Sequence, residues 1–277
     1  MIKHYCYDNK KIPENTTHLE FGFSFNFNID YLSSYSLITH LKLGNGFNKL
    51  VDNLPNSITH LTFGNNFNQP IDNLPNSITQ LTFVKLSNFN QLVNNLPNSI
   101  THLTFGNSFN QSVNNLPNSI TYLTFGLTFN QLVDNLPNSI THLTFGNNFN
   151  QSVNNLPNSV IYLTLEKSFN KSIDNIVNFL KILKCNEKIY NTNKEKLKNK
   201  FIKYYDCYND YVYYKYKDFT LTKPIIYDVV LENILELQYF VYEILFKNLI
   251  KYVLNPQRLL RMAEKHNISI EEYLEFL

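Results

Sequence analysis

Apolar positions recur along residues 16–185 with a period close to twenty residues. In one representative unit, residues 51–68, the apolar places are Val51, Leu54, Ile58, Leu61, Phe63 and Phe67. Polar and apolar residues alternate from His60 to Phe63, which is the pattern of a short strand with one buried face. Gly64-Asn65 ends this strand, and the LPNS segment at 54–57 forms a turn before it. Each unit is therefore predicted to be one strand joined to the next by tight turns.

The unit is repeated eight times, and its copies are marked by a Thr-x-Leu step. That step begins at Thr17, Thr39, Thr59, Thr79, Thr101, Thr121 and Thr141, with Ile161 in place of Thr in the eighth copy. A ninth, degraded copy lies at residues 180–183. Because one coil cannot bury six apolar side chains alone, a fixed period of this length indicates a solenoid of stacked coils. We predict a parallel β-sheet with one short strand per coil.

The predicted organisation has three parts. Residues 1–15 are an N-terminal cap, and residues 16–185 form the solenoid of about eight coils plus the degenerate ninth. Residues 186–277 are predicted to form a mainly helical C-terminal cap or module.

About one residue in six is Asn, and one Asn follows the second Phe of each coil. This column consists of Asn48, Asn68, Asn90, Asn110, Asn130, Asn150 and Asn170. An amide side chain can bond backbone groups of a neighbouring coil, so we predict a structural ladder along it. The alternative is that these residues only form turns, where Asn tolerates a left-handed backbone.

The units resemble the FNIP repeat, a short relative of the leucine-rich repeat. Every copy contains Phe-Asn, residues 67–71 read FNQPI, and LPNSITHLTF occurs in five near-copies. The resemblance covers roughly residues 12–185. It implies a leucine-rich-repeat-like solenoid that binds proteins, of the kind found in giant DNA viruses of amoebae and in social amoebae. Some relatives carry an F-box or a kinase domain, but no kinase motif is present here.

The outward strand positions are the candidate interaction face that this resemblance implies. One column consists of His18, His40, His60, Gln80, His102, Tyr122, His142 and Tyr162. A second column begins with Glu20 and Lys42 and continues with Thr from Thr62 onward. The three successive histidines at the start of the first column could bind a metal or sense pH. No set of carboxylate or thiolate ligands accompanies them, and a solvated polar stripe is the alternative, so no metal or cofactor is predicted.

The irregular coil at 79–99 adds a further candidate. Residues 84–88 replace the short Gly-Asn segment that normally separates the two Phe, and the two extra residues are expected to bulge and expose Lys85. A partner could dock there, or the insertion could be neutral drift.

Charge and cysteine usage restrict the function. Between residues 53 and 165 the charged residues are Asp72, Lys85 and Asp134, too few for general acid–base chemistry, so no enzyme is predicted. A net charge of +2 gives no general attraction for nucleic acid. The apolar stretch 225–254 contains too many charges to span a membrane. Three scattered cysteines and a start without an apolar segment favour an intracellular protein, and the resemblance places it in the cytoplasm of an amoebal host cell.

The C-terminal third has a different composition. Residues 186–223 are rich in Lys, Asn and Tyr and are predicted to form a solvated helical connector, although lysines among aromatics could also contact nucleic acid. Helical periodicity follows over 224–254, Asn255-Pro256 opens a second helix, and a capping box at 269–272 opens a third. These helices either cap the solenoid or form a separate partner-binding module.

Three functions are consistent with this sequence. The first is a non-catalytic scaffold that presents the strand face to a protein partner. The second is an adaptor that delivers a target to a host ubiquitin ligase through the C-terminal helices. The third is a repeat-expanded protein without a specific ligand. The sequence does not identify the partner or the oligomeric state.

Overall fold

A computed structural model of the chain describes residues 3–6, 12–197, 201–205, 211–216 and 219–224. The strands in this part form one sheet whose order follows the chain. They are β1 (Lys3–Cys6), β2 (His18–Phe21), β3 (His40–Lys42), β4 (His60–Phe63), β5 (Gln80–Phe83), β6 (His102–Thr104), β7 (Tyr122–Thr124), β8 (His142–Thr144), β9 (Tyr162–Thr164), β10 (Ile182–Asn186), β11 (Phe201–Tyr205), β12 (Tyr211–Tyr216) and β13 (Phe219–Pro224). One α-helix, α1 (Glu187–Leu197), and one 3-10 helix (Asp30–Ser34) are also described.

The sheet is parallel from β1 to β11, and its register repeats from coil to coil. Leu19 lies opposite Leu41, which lies opposite Leu61, and the same leucine row continues to β10. Strands β2 to β9 correspond one by one to the eight predicted copies. The predicted fold class, a leucine-rich-repeat-like parallel β-solenoid followed by helix, is confirmed.

The core consists of apolar columns that run along the solenoid axis. The second Phe column contains Phe25, Phe47, Phe67, Phe89, Phe109, Phe129, Phe149 and Phe169, all of them buried. Neighbouring rings of this column lie with centroids 6.1–6.3 Å apart and nearly parallel planes. The first Phe column, at the end of the strands, packs against the second column. The ring centroids of Phe105 and Phe109, for example, lie 3.7 Å apart. Each coil thus buries its rings against copies of itself.

The repeated Asn side chains connect successive coils by hydrogen bonds. The Oδ1 atom of Asn48 accepts a bond from the backbone N–H of Asn68 at 3.0 Å. Equivalent bonds continue along the predicted column as far as Asn170, at 2.9–3.0 Å. The ladder begins one coil before the predicted column, because Oδ1 of Asn26 accepts from the N–H of Asn48.

Other repeated polar side chains also form hydrogen bonds to the preceding coil. The Ser57 hydroxyl of the LPNS turn donates to the carbonyl of Ile38 in the preceding coil, and four later serines repeat this bond. The Asn53 amide donates to the Asp30 carboxylate, and five later Asn residues make the equivalent bond. Since these bonds satisfy turn groups between coils, the near-identity of the copies is a requirement of stacking.

The Gly that follows most strands lies close to the preceding coil. A Cβ atom built at Gly126 would lie 2.2 Å from the carbonyl oxygen of Gly106 in the coil before it. A side chain at Gly126 therefore requires a shift of the backbone. Two coils do have a side chain at this place: Val84 in the irregular coil, which contains two extra residues, and Glu166 in the eighth coil, which contains none.

The chain after β10 differs in part from the predicted helical connector. Helix α1 occupies residues 187–197, but β11, β12 and β13 follow where helix was expected. Strand β11 pairs in parallel with β10, and β12 pairs antiparallel with both β11 and β13. These segments are rich in Tyr, Val, Phe and Thr, which favour strands, and β10 would otherwise be an open sheet edge. The helices predicted over 224–254 and after Asn255 lie outside the described residues.

One buried residue joins the last coil to α1. The side-chain amide of Asn186 donates to the carbonyl of Phe169 at 2.8 Å and also lies within bonding distance of the Glu166 and Lys167 carbonyls. Its Oδ1 atom accepts the Ile189 N–H at 3.0 Å, the bond of a helix N-cap. Asn186 therefore satisfies groups at the end of the solenoid and at the start of the helix together.

Candidate interaction face

The outward positions of β2–β9 form one continuous strand face. The register aligns the eight predicted residues of the first column in adjacent strands, from His18 on β2 to Tyr162 on β9. The second column runs beside it from Glu20 and Lys42 to Thr164. Gln80 and Tyr122 are exposed, and the five histidines are partly buried. We call the first set the ring column and the second the Thr column.

The aromatic members of the ring column form two stacks. His18, His40 and His60 stack with centroids 4.0 Å apart and planes within 12°. The second stack contains His102, Tyr122, His142 and Tyr162, with centroids 4.0–4.4 Å apart. Gln80 separates the two stacks. The spacing is slightly shorter than that of the strands, because flat rings on neighbouring strands can close to van der Waals contact.

Each ring-column histidine is held by the Thr that precedes it. The hydroxyl oxygen of Thr59 lies 2.8 Å from Nδ1 of His60, and the same hydroxyl donates to the Thr39 carbonyl at 3.2 Å. His40, His102 and His142 have the same arrangement. The Thr39 carbonyl also accepts the backbone N–H groups of Thr59 and His60, so the direction of the Thr–His bond follows from the tautomer of the ring. In every such pair Nδ1 faces the Thr hydroxyl, and Nε2 is the outer ring nitrogen.

Burial and neighbouring rings make three of these histidines difficult to protonate. Burial, together with the neighbouring histidines, lowers the pKa of His40 and of His60 below the ordinary value of 6.5. Burial is also the main reason why the pKa of His142 falls to about 4, and His102 contributes to it. His40, His60 and His142 are therefore neutral at pH 7 and gain positive charge as the pH decreases.

The solenoid is expected to lose stability as the pH decreases below 6.5. In the unfolded chain histidine has its ordinary pKa of 6.5, whereas the pKa of His142 in the folded chain is about 4. Below 6.5 the unfolded state therefore holds more protons, so stability is complete above 6.5 and decreases toward 4. Urea unfolding followed by circular dichroism on both sides of pH 6.5 measures this loss.

The matched variant for this test is His142→Gln, because Gln80 already occupies the same column. It should lose less stability over this pH interval than the parent chain. Equal losses in both proteins would show that other groups are responsible.

A shallow groove of about 260 Å³ lies at the N-terminal end of the strand face. It is lined by the first His stack, by Lys3 and His4 of β1, and by Glu20, Lys42 and Thr62 of the Thr column. The Lys42 ammonium lies 2.6 Å from the Glu20 carboxylate. Strand β1 was not predicted from the sequence, and it supplies one wall of this groove.

Lys85 is exposed, as the sequence predicted, but it is not on the strand face. It lies in the turn after β5, and beside it Leu86 is 64% exposed. Backbone hydrogen bonds fix this turn. The N–H of Ser87 donates to the carbonyl of Val84, and the N–H of Asn107 donates to the carbonyl of Lys85. Lys85 is thus a separate surface feature near the corner of the coil.

Two kinds of feature are not found in the described part of the chain: a cluster of metal ligands and a membrane-spanning helix. No group of three or more His, Cys, Asp or Glu side chains within it could hold a metal ion. The stacked imidazoles explain this for the His column, because parallel rings direct their lone pairs side by side rather than toward one point. Among the described helices, none is long and apolar enough to cross a membrane.

Comparison with known proteins identifies the repeat. A family model described as FNIP Repeat matches residues 47–86, 88–128, 113–148 and 129–154. These coils are FNIP repeats. The chain is also similar to a solved structure, "The crystal structure of CroV588 a novel circular LRR protein structure", from the giant virus CroV, at 43% identity and a TM-score of 0.52. The match covers 66% of this chain and 32% of that one, so the chain spans about a third of its relative's length. No curated protein matches the sequence.

The sequence identified the columns of the repeat and the Asn ladder between coils, but not the other contacts. The Thr–His hydrogen bonds and the groove were missed. The alternation of Thr and His in TH was a possible signal for the bonds, since the hydroxyl and the ring are neighbours in every such copy. The Glu20–Lys42 pair could have been found from the register, because opposite charges fall on adjacent strands of one column.

Proposed function

We propose that this chain is a non-catalytic protein-interaction scaffold that binds its partner with the strand face of its FNIP-repeat solenoid. Solenoids of the leucine-rich type are in general interaction scaffolds. The observation that supports this surface is the different use of polar side chains within one coil. The Asn, Ser and Gln side chains of the turns bond the preceding coil, whereas the ring column projects from the strands to the surface.

The ring column has the chemistry of a protein-binding surface. Tyr122 is 42% exposed and is held between two stacked histidines, so it loses little conformational freedom on binding. Rigid aromatic side chains with a polar end are frequent anchors of protein interfaces. No observation favours the ubiquitin-ligase adaptor, which depends on C-terminal helices outside the described residues.

The test is capture of a partner from an amoebal lysate by the full chain and by two variants. Tyr122→Gln introduces a residue that Gln80 already places in this column. Leu132→Ser is the control, because Leu132 is exposed in a turn where Ser112 and Ser152 stand in the neighbouring coils. We expect Tyr122→Gln to weaken capture about tenfold or more, as for an interface anchor. Capture that is weakened only by Leu132→Ser would assign binding to the turns instead.

A further inference from the structure

The charged groups of the strand face are concentrated at its N-terminal end. The groove there contains two ammonium groups, of Lys3 and Lys42, and one carboxylate, of Glu20. From β5 to β9 the ring and Thr columns contain only Gln, His, Tyr and Thr. At the other end of the sheet the Thr column continues with Lys184 on β10, whose ammonium lies 3.5 Å from the Glu166 carboxylate. Among β1 to β9 the groove is therefore the electrostatically distinct part, with a net charge of +1 from two ammonium groups and one carboxylate.

The Lys42 ammonium group can bind another anion in addition to the Glu20 carboxylate. Both side chains are substantially exposed, 54% for Lys42 and 36% for Glu20. An exposed pair contributes on the order of 0–1 kcal/mol, so the ammonium group can be shared with another anion.

The His stack can increase this positive charge at its outer atoms. The Thr hydroxyls lie against Nδ1 of His40 and His60, so Nε2 is the outer nitrogen of each ring. In the described part of the chain, the only buried side-chain N or O atoms without a partner are the hydroxyls of Thr16 and Ser159. Nε2 of His40 and of His60 is not among them, and no described residue forms a hydrogen bond with it, so both atoms are open to solvent. A protonated imidazole has an N–H at both nitrogens, so each charged ring presents an outward Nε2–H donor beside the groove.

We propose that this groove binds an acidic segment of a protein partner, and that the complex takes up protons on His40 and His60 of the first stack. This inference rests on the proposed function, since it places the partner on the strand face. The carboxylates of the partner would contact the ammonium groups of Lys3 and Lys42 and the Nε2–H donors of the charged rings. A basic partner is disfavoured, because both lysines would repel it and only Glu20 would attract it.

The groups facing the stack determine how many protons it accepts. On β1 these are Lys3 and His4, on β2 Glu20, on β3 Lys42, and beyond Gln80 on β5 the next ring is His102. Adjacent rings only 4.0 Å apart repel each other when both are charged. Proton uptake should therefore be smaller than the number of rings.

The direct test is isothermal titration calorimetry of the full chain with a short poly-glutamate peptide and a matched poly-glutamine peptide. Titrations in buffers of different ionisation enthalpy report the protons taken up. We expect binding of poly-glutamate only, with an affinity that rises up to about tenfold per pH unit for each proton bound as the pH falls. An affinity that does not change with pH, or one that decreases as the pH decreases, would overturn the proposal. So would a clear preference for a single-stranded oligonucleotide over poly-glutamate.

Matched variants locate the effect. His60→Gln and Lys42→Thr introduce the residues that Gln80 and Thr62 place in the same columns, so both should fold. His60→Gln should reduce proton uptake and flatten the pH dependence, and Lys42→Thr should weaken binding severalfold at every pH. His142→Gln, a change of the same kind outside the groove, should leave both unchanged. An effect of His142→Gln equal to that of His60→Gln would exclude the groove as the site.

The nitrogen-15 chemical shifts of the imidazoles provide a second readout. In the free protein they should show neutral rings for His40 and His60, and poly-glutamate should convert the rings that accept a proton to the form with an N–H at both nitrogens. If Tyr122→Gln weakens the capture of a partner while poly-glutamate fails to bind, the scaffold function is supported and the acidic-segment proposal fails. If neither occurs, the strand face is not the binding surface.

Discussion

Replacing Phe129 with Ala is expected to lower the free energy of unfolding by about 3–5 kcal/mol. The Phe129 side chain is completely buried in the second Phe column. Its ring lies 3.7 Å from Phe125 in its own coil and 6.1 Å from Phe109 and Phe149 in the neighbouring coils. Truncation leaves a cavity in the middle of the stack, where coils on both sides prevent collapse. Urea unfolding at fixed pH, followed by far-ultraviolet circular dichroism, measures the loss.

Leucine substitutions in the two Phe columns provide the control. The first column already contains Leu43 and Leu165, both fully buried, so Phe125→Leu should cost less than about 1.5 kcal/mol. The second column is Phe in every copy. Phe129→Leu should therefore cost clearly more than Phe125→Leu. Equal costs would mean that the uniformity of the second column reflects duplication rather than packing.

The strands and the core could be predicted because one unit contains the information for its own neighbours. Alternation from His60 to Phe63 fixes which side chains are buried, and the repeat fixes the register, since identical residues stack. The Asn column followed from the same logic: a turn that is copied needs a partner in the next copy. The structure extends this reasoning to Asn53 and its equivalents, whose constancy the sequence could not attribute to a contact.

The groove could not be predicted, because it combines repeat and non-repeat residues. Strand β1 precedes the first copy and lacks its pattern, so nothing in the sequence of residues 3–6 placed Lys3 beside His18. The Thr-His pairs are neighbours in the sequence, but the sequence alone did not show that the Thr hydroxyl also lies against a carbonyl of the preceding strand. Strands β11 to β13 depend on an open sheet edge, which is a property of the folded solenoid rather than of the Tyr-rich segments.

Replacing Asn186 with Ala is expected to lower the free energy of unfolding of the C-terminal end by about 3 kcal/mol. Loss of the N-cap bond to Ile189 accounts for about 1 kcal/mol, and the carbonyl of Phe169, left without its buried donor, accounts for about 1–3 kcal/mol. Because the end of a solenoid can open without the rest, hydrogen exchange of the α1 amides is measured together with urea unfolding. The α1 amides should exchange faster, whereas those of β4 to β6 should change little.

Two further substitutions separate the roles of the Asn186 side chain. Asn193 is buried in the same helix, but its amide makes one bond, to the Ile189 carbonyl, so Asn193→Ala should cost only about 1 kcal/mol. Asn186→Asp keeps an acceptor for the Ile189 N–H but directs a carboxylate toward the Phe169 carbonyl, so at neutral pH it should destabilise at least as much as Asn186→Ala. If Asp were tolerated, the N-cap alone would close the solenoid. If Asn186→Ala cost no more than Asn193→Ala, helix packing rather than this amide would protect the last coil.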